Sequence, residues 1–212
     1  MKLLTLMLCF LVCTLPALSQ APHLSFGAVG GVRLSGGAPA GYHDESPRYT
    51  LGPTFEVSFG EHLAVESSAL YKRFGSSTLF ALSPQSERPP LSYLSIRHRT
   101  DSWEFPILGK YYFGRRNQRD RFFVATGYSF QRSWATSSYN VITPNPSAGG
   151  SVGVGIPIGP RPPVVVGAAF GAGLARKAGP LTVTPAFRYT RWGYRTDGTS
   201  RNQAEILLTL SF

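Results

Sequence analysis

Four acidic and four basic side chains fall on the same phase of an alternating pattern: Glu56, Glu66, Glu104 and Glu205 with Arg33, Lys72, Lys110 and Arg188. Carboxylates gathered away from water act as general acids and bases or neutralise buried cations, and the second arrangement is much the commoner. We read the set as an interior ion-pair plug, with an acid–base site as the alternative. His98 and Arg99 beside Ser102 are the one cluster suited to nucleophilic chemistry, and their spacing fixes no third group. His23, His43, His62 and His98 lack metal-ligand spacing. The glycine-rich stretches 153–159 (GVGIPIG) and 167–173 (GAAFGAG) neither open a helix nor contain Gly-Lys-Ser/Thr, so no phosphate loop is expected. No catalytic, metal or cofactor residue is assigned, and the expectation is a protein that is not an enzyme.

The elements that must hold the eight charges are strands. In 202–212 (NQAEILLTLSF), Ala204, Ile206, Leu208, Leu210 and Phe212 share one face. Gln203, Glu205, Thr209 and Ser211 share the other, where Leu207 is the apolar intruder. A soluble domain seldom ends on so apolar a strand, whereas a membrane barrel must close its last strand on its first. The same alternation predicts strands at 23–34, 49–59, 62–74, 100–113, 121–132, 164–174 and 181–192. Aromatics at strand ends (Tyr49, Phe59, Tyr71, Trp103, Phe113, Phe130, Tyr189 and Phe212) suit interfacial girdles. The fold expected is all-β, an eight-stranded antiparallel up-and-down transmembrane β-barrel. Pro53, Pro106 and Pro185 lie inside strands, each removing a ladder donor, so a local bulge is expected at each.

Residues 1–19 carry Lys2, an apolar run too short to span a bilayer and small residues at the end, the parts of a cleaved signal peptide. The domains expected are therefore 1–19, the signal, and 20–212, the barrel. Cys9 and Cys13 both lie in the signal, leaving no disulfide or thiolate site in the mature chain. Of 21 basic and 11 acidic residues, Lys2 is lost with the signal, leaving 20 against 11, near +9. No later stretch approaches the roughly 18 apolar residues of a membrane helix.

Connection lengths alternate. Residues 35–48, 75–99, 133–163 and 193–201 are long and polar, whereas 60–61, 114–120 and 175–180 are short, as for outer loops and periplasmic turns. A soluble lipid-binding barrel, the rival fold, has no reason for that asymmetry and would turn its apolar face inward. An eight-stranded interior is filled by side chains, which disfavours a pore.

The blocks 51–56 (LGPTFE), 69–73 (ALYKR), 102–111 (SWEFPILGKY), 187–192 (FRYTRW) and the terminal Phe212 resemble bacterial outer-membrane β-barrel proteins, within the group of small OmpA/OmpX-like and PorT-like barrel domains. The resemblance implies an outer-membrane location, no catalytic residues to carry over, and barrel assembly machinery that reads the final strand through Phe212. Arg191, Arg195 and Arg201 flank the last outer connection, and Arg97 and Arg99 the second. Arg pairs with phosphate in a bidentate way, so outer-membrane lipids and lipopolysaccharide phosphates are the expected contacts. Nucleic acid is not expected, because an exported chain seldom meets it. The role expected is structural or surface-binding through the outer loops, the alternatives being a membrane-embedded enzyme acting on lipids and the soluble lipid-binding barrel.

Overall fold

A computed structural model describes residues 22–34, 43–44, 48–81, 93–116, 118–142, 153–157, 164–193 and 201–212. The expected signal peptide lies outside them. The described elements are all strands: β1 (His23–Arg33), β2 (His43–Asp44), β3 (Tyr49–Phe59), β4 (Leu63–Ser68), β5 (Leu70–Ala81), β6 (Tyr93–Phe113), β7 (Asp120–Ile142), β8 (Gly153–Pro157), β9 (Val165–Ala178), β10 (Leu181–Trp192) and β11 (Asn202–Ser211). The segments β4 and β5 form one stave, so eight staves make the wall, while β2 and β8 are short additions paired to β5 and β7. Every neighbouring pair is antiparallel, and β1 pairs with both β3 and β11, which closes the sheet.

Following paired residues once around the wall runs His23, Ser58, Ala64, Lys110, Ala125, Gly171, Arg188, Glu205 and back to β1 at Arg33. The path returns ten residues further along β1, from His23 to Arg33, so the shear is ten. With about 3.3 Å per residue and about 4.8 Å between strands, eight strands at that shear tilt by about 40°. This stagger brings residues far apart in sequence into one interior layer.

The two faces separate as the alternation requires. Phe26, Leu51, Phe105, Ile107, Tyr128, Phe187 and Leu208 are exposed on the outside, while Leu70, Leu108, Tyr112 and Phe123 are buried inside. A continuous apolar exterior of this kind is unfavourable in water and favourable in hydrocarbon. Two aromatic belts border it. Tyr49, Tyr71, Trp103 and Phe105 contact one another in series at one edge, and His62, Tyr111 and Phe113 do so at the other. Leu207, the intruder of the last strand, points inward and packs with Val29 and Leu70.

Two expectations need correction. The second and third outer connections include long strand extensions at their described ends: β5–β6 pairing runs to Ala81↔Tyr93, and β6–β7 pairing runs from Phe113↔Phe122 to Tyr93↔Ile142. Beyond the bilayer both faces meet water, so Ser, Thr and Arg there carry no apolar period by which the ladder could be read.

The prolines produce no bulges, because pairing on either side of each keeps one register. Pairing of β3 with β4 ends at Thr54↔Ser68 and resumes with β5 at Leu51↔Tyr71; pairing with β6 stops at Ser67↔Ile107 and resumes at Leu70↔Glu104. Ser68 and Ala69 thus sit between Pro53 on one side and Pro106 on the other, and the missing donors interrupt the stave. Ala69 still donates to the Pro53 carbonyl at 3.0 Å. At Gly52 a Cβ would lie 1.8 Å from the Ala69 carbonyl oxygen, so only glycine admits this close approach. Pro185 leaves a similar gap between Val183↔Arg176 and Ala186↔Gly173.

Candidate functional site in the barrel interior and on its outer basic face

The shear assembles seven of the eight predicted charges into two interior layers. In the first, Glu205 of β11 accepts from Lys72 of β5 at 2.6 Å and from Arg188 of β10 at 2.5 Å. Glu104 of β6 pairs with the same Lys72 and lies 3.3 Å from Arg188. The hydroxyl of Thr50 donates to Glu205 at 2.9 Å and that of Ser129 to Glu104 at 2.6 Å. All four charged residues are at most 3 % exposed, so two cations and two anions balance in a dry layer.

In the second layer Lys110 pairs with Glu56 at 2.7 Å and with Glu66, and Tyr112 donates its hydroxyl to Glu56 at 2.9 Å. Lys110 also lies over the Phe123 ring at 4.7 Å, and the Arg121 guanidinium over the Tyr112 ring at 4.0 Å. Arg33, the eighth residue, stands half-buried on the inner face of β1, opposite Glu205 in the ladder. Tyr112, Thr50 and Ser129 were missed as members. Their inward phase was the available signal, but nothing in a neutral side chain marks it as an ion-pair partner.

The apolar residues Val29, Leu70, Leu108, Phe123 and Leu207 separate the layers around a void of about 30 Å³, room for a single water. Beneath Lys110 a polar cavity of about 350 Å³ opens towards the short turns. The carboxylates of both layers are held by fixed cations and hydroxyl donors. That arrangement suits a structural plug.

His98 and Ser102 are not brought together. The Ser102 hydroxyl donates to the Lys72 carbonyl at 3.5 Å, whereas His98 Nδ1 meets the Ser137 hydroxyl at 2.5 Å. Ser137 is fully buried, so a substrate carbonyl has no approach to its oxygen.

Outside, Arg97 and Arg99 are exposed on the wall of β6 instead of in a loop. Arg99 pairs with Asp101 at 3.2 Å, Arg73 pairs with Asp101 at 2.7 Å, and the Tyr71 hydroxyl donates to the same carboxylate at 2.6 Å. Arg132 lies over the Trp134 ring at 5.6 Å, directly across β6 from Trp103. Two guanidiniums, Arg73 and Arg99, therefore grip one carboxylate just beyond the Tyr71–Trp103 belt, with Arg97 and Arg132 on the same outward face. Arg73 and Arg132 went unrecognised because they sit where the outward phase passes from lipid to water. Arg191 is exposed on the outer face of β10, while Arg201 donates to the Gly193 carbonyl at 2.8 Å and fastens the base of the last connection. Arg195 lies outside the described residues.

A closed eight-stranded wall, greasy outside and ion-paired within, defines an outer-membrane barrel. Residues 20–193 match the family described as outer membrane protein beta-barrel domain, and the chain belongs to that family. Among solved structures, Ail of Yersinia pestis in complex with the heparin analogue sucrose octasulfate is 13% identical, with 90% of this chain and 97% of that one covered at a TM-score of 0.45. The N-terminal barrel of Pseudomonas aeruginosa OprF is 12% identical, with 91% and 98% covered at 0.45. Neisserial surface protein A is 9% identical, with 91% and 98% covered at 0.42. No curated protein matches the chain.

Proposed function

We propose that this outer-membrane barrel serves as a surface-binding protein whose outer face holds the phosphates of lipopolysaccharide. The observation that carries the reading is the outward-facing basic group of Arg73, Arg97, Arg99 and Arg132, immediately beyond Tyr71 and Trp103, in which Arg73 and Arg99 pair with Asp101. Aromatic rings at that level sit among headgroups, so the guanidiniums just past them stand where lipid A carries its phosphates. The Asp101 carboxylate orients Arg73 and Arg99, one anion between two cations. The interior layers support this role by keeping the wall rigid.

In an R97Q/R99Q double variant, affinity for lipopolysaccharide should fall roughly tenfold or more, since charge-assisted bonds contribute about 1.5–3 kcal/mol each. The heat-unfolding midpoint should be unchanged, because neither residue packs in the interior. Titration of the refolded barrel with lipopolysaccharide micelles checks both, and an unaltered affinity would refute the reading. A membrane-embedded enzyme acting on lipids is the second reading. It draws on the His98–Ser137 contact, but the Ser137 hydroxyl is enclosed, which disfavours it as a nucleophile.

A further inference from the structure

We propose that the opposite end of the barrel, where the β6–β7 and β9–β10 turns meet, is a second lipid-binding surface, built for the anionic phospholipid headgroups of the periplasmic leaflet. Arg115, Arg116, Arg119, Arg121, Arg176 and Lys177 gather on these two turns, against one acid, Asp120. The turns are fastened into one unit. The Lys177 amide donates to the Arg119 carbonyl at 2.8 Å and its ammonium to the Arg116 carbonyl at 2.9 Å. Arg176 grips Asp120 through two bonds, 2.9 and 3.3 Å, and the Gln118 amide closes the β6–β7 turn on the Arg115 carbonyl at 3.1 Å. Cationic side chains on a fixed backbone lose little further freedom when they bind.

Their depth identifies the partner. Asp120 and Arg176 face each other on the outside of the wall, two residues beyond the pair Phe122 and Leu174 on the same face, about 7 Å along the strands. Phe122 is 65 % exposed and Phe113 is 52 % exposed, so hydrocarbon reaches this level and the cations begin where headgroups begin. Long basic side chains there lay their stems on the apolar rim and place their charge among phosphates. Arg115 and Arg119 are exposed and form no ion pair among the described residues. Asp120 is engaged by Arg176, and the β3–β4 turn adds one further acid, Glu61, against the six cations. Cations thus outnumber acids on these turns, at the depth of the inner-leaflet phosphates. The turns also end at that depth instead of reaching towards the cell wall, which favours a lipid over peptidoglycan.

The test uses the full mature barrel refolded into phosphatidylcholine vesicles doped with spin-labelled phosphatidylglycerol or spin-labelled phosphatidylcholine, read as the fraction of motionally restricted label. The wild type should select phosphatidylglycerol, and added salt should weaken that selectivity. An R115Q/R119Q/R176Q variant should lose it by roughly fivefold per charge at low salt, whereas R115K/R119K/R176K should keep most of it. The outer-face R97Q/R99Q variant should also keep it, which separates this surface from the lipopolysaccharide site. Heat-modifiable gel mobility confirms that each variant is folded. Full selectivity in the triple glutamine variant would overturn the proposal, as would arginine-dependent sedimentation with peptidoglycan sacculi in the absence of any lipid preference.

Discussion

Replacing Glu205 with glutamine should lower the heat-unfolding midpoint further than any single change on the barrel's surface. Glu205 is bound by Lys72 at 2.6 Å and Arg188 at 2.5 Å, and it accepts the Thr50 hydroxyl. Without its charge, two cations face Glu104 alone in a layer almost closed to water, and a stranded interior charge costs about 3–5 kcal/mol. Single substitution of Glu104 or Arg188 should act in the same way, since each leaves the layer with one charge in excess. Replacing Glu104 and Arg188 together with apolar residues of similar volume leaves Lys72 and Glu205 as a neutral pair. The double change should therefore be milder than either single one. Heat-dependent gel mobility in detergent follows the midpoint directly. If the single changes leave it untouched, these side chains meet water and the plug does not exist.

Truncation after Ser211 should separate stability from delivery. Phe212 donates its amide to the Phe26 carbonyl at 2.9 Å and accepts the Phe26 amide at 3.2 Å, across the seam where the barrel closes. Losing both bonds costs about 1 kcal/mol each. Pairing of β1 with β11 continues from Gly27↔Ser211 to Arg33↔Glu205, so the truncated chain should still refold in micelles with a modest loss of stability. The Phe212 ring is 73 % exposed and contributes little packing within the barrel. If assembly machinery reads the final strand through that ring, yield in the outer membrane should fall severely while refolding in detergent persists. Normal yield in cells would make Phe212 a closing residue only.

The wall and its two faces were legible because lipid outside and packed charge inside impose a period of two on every membrane-spanning stave. The inward phase of the ionic residues was readable from alternation alone, although only seven of the eight enter the two layers. Their partnerships were not readable: Lys72 and Glu205 stand 133 residues apart and meet through the stagger of the whole barrel, which no single strand encodes. Pro53 and Pro106 each suggested a separate bulge, yet they flank one point of one stave and are absorbed there together as missing ladder bonds. The upper reaches of β6 and β7 were unreadable for the opposite reason, since water on both sides removes the contrast that marks a strand. Arg73 and Arg132 were lost with them, and so was the pairing of Arg73 and Arg99 with Asp101.

The central claim is that the apolar face looks outward into lipid while the polar face turns inward, and the tryptophans report on both. Trp103 lies on the outer belt at 38 % exposure, whereas Trp192 is 3 % exposed inside, donating its indole N–H to Gln203 at 3.2 Å. Variants retaining one of these two, with the other tryptophans changed to phenylalanine, can be refolded into vesicles containing brominated phospholipid. Strong quenching of Trp103 and negligible quenching of Trp192 is the expected result. Equal quenching of both, or quenching of Trp192 alone, would place lipid inside the barrel and contradict the account.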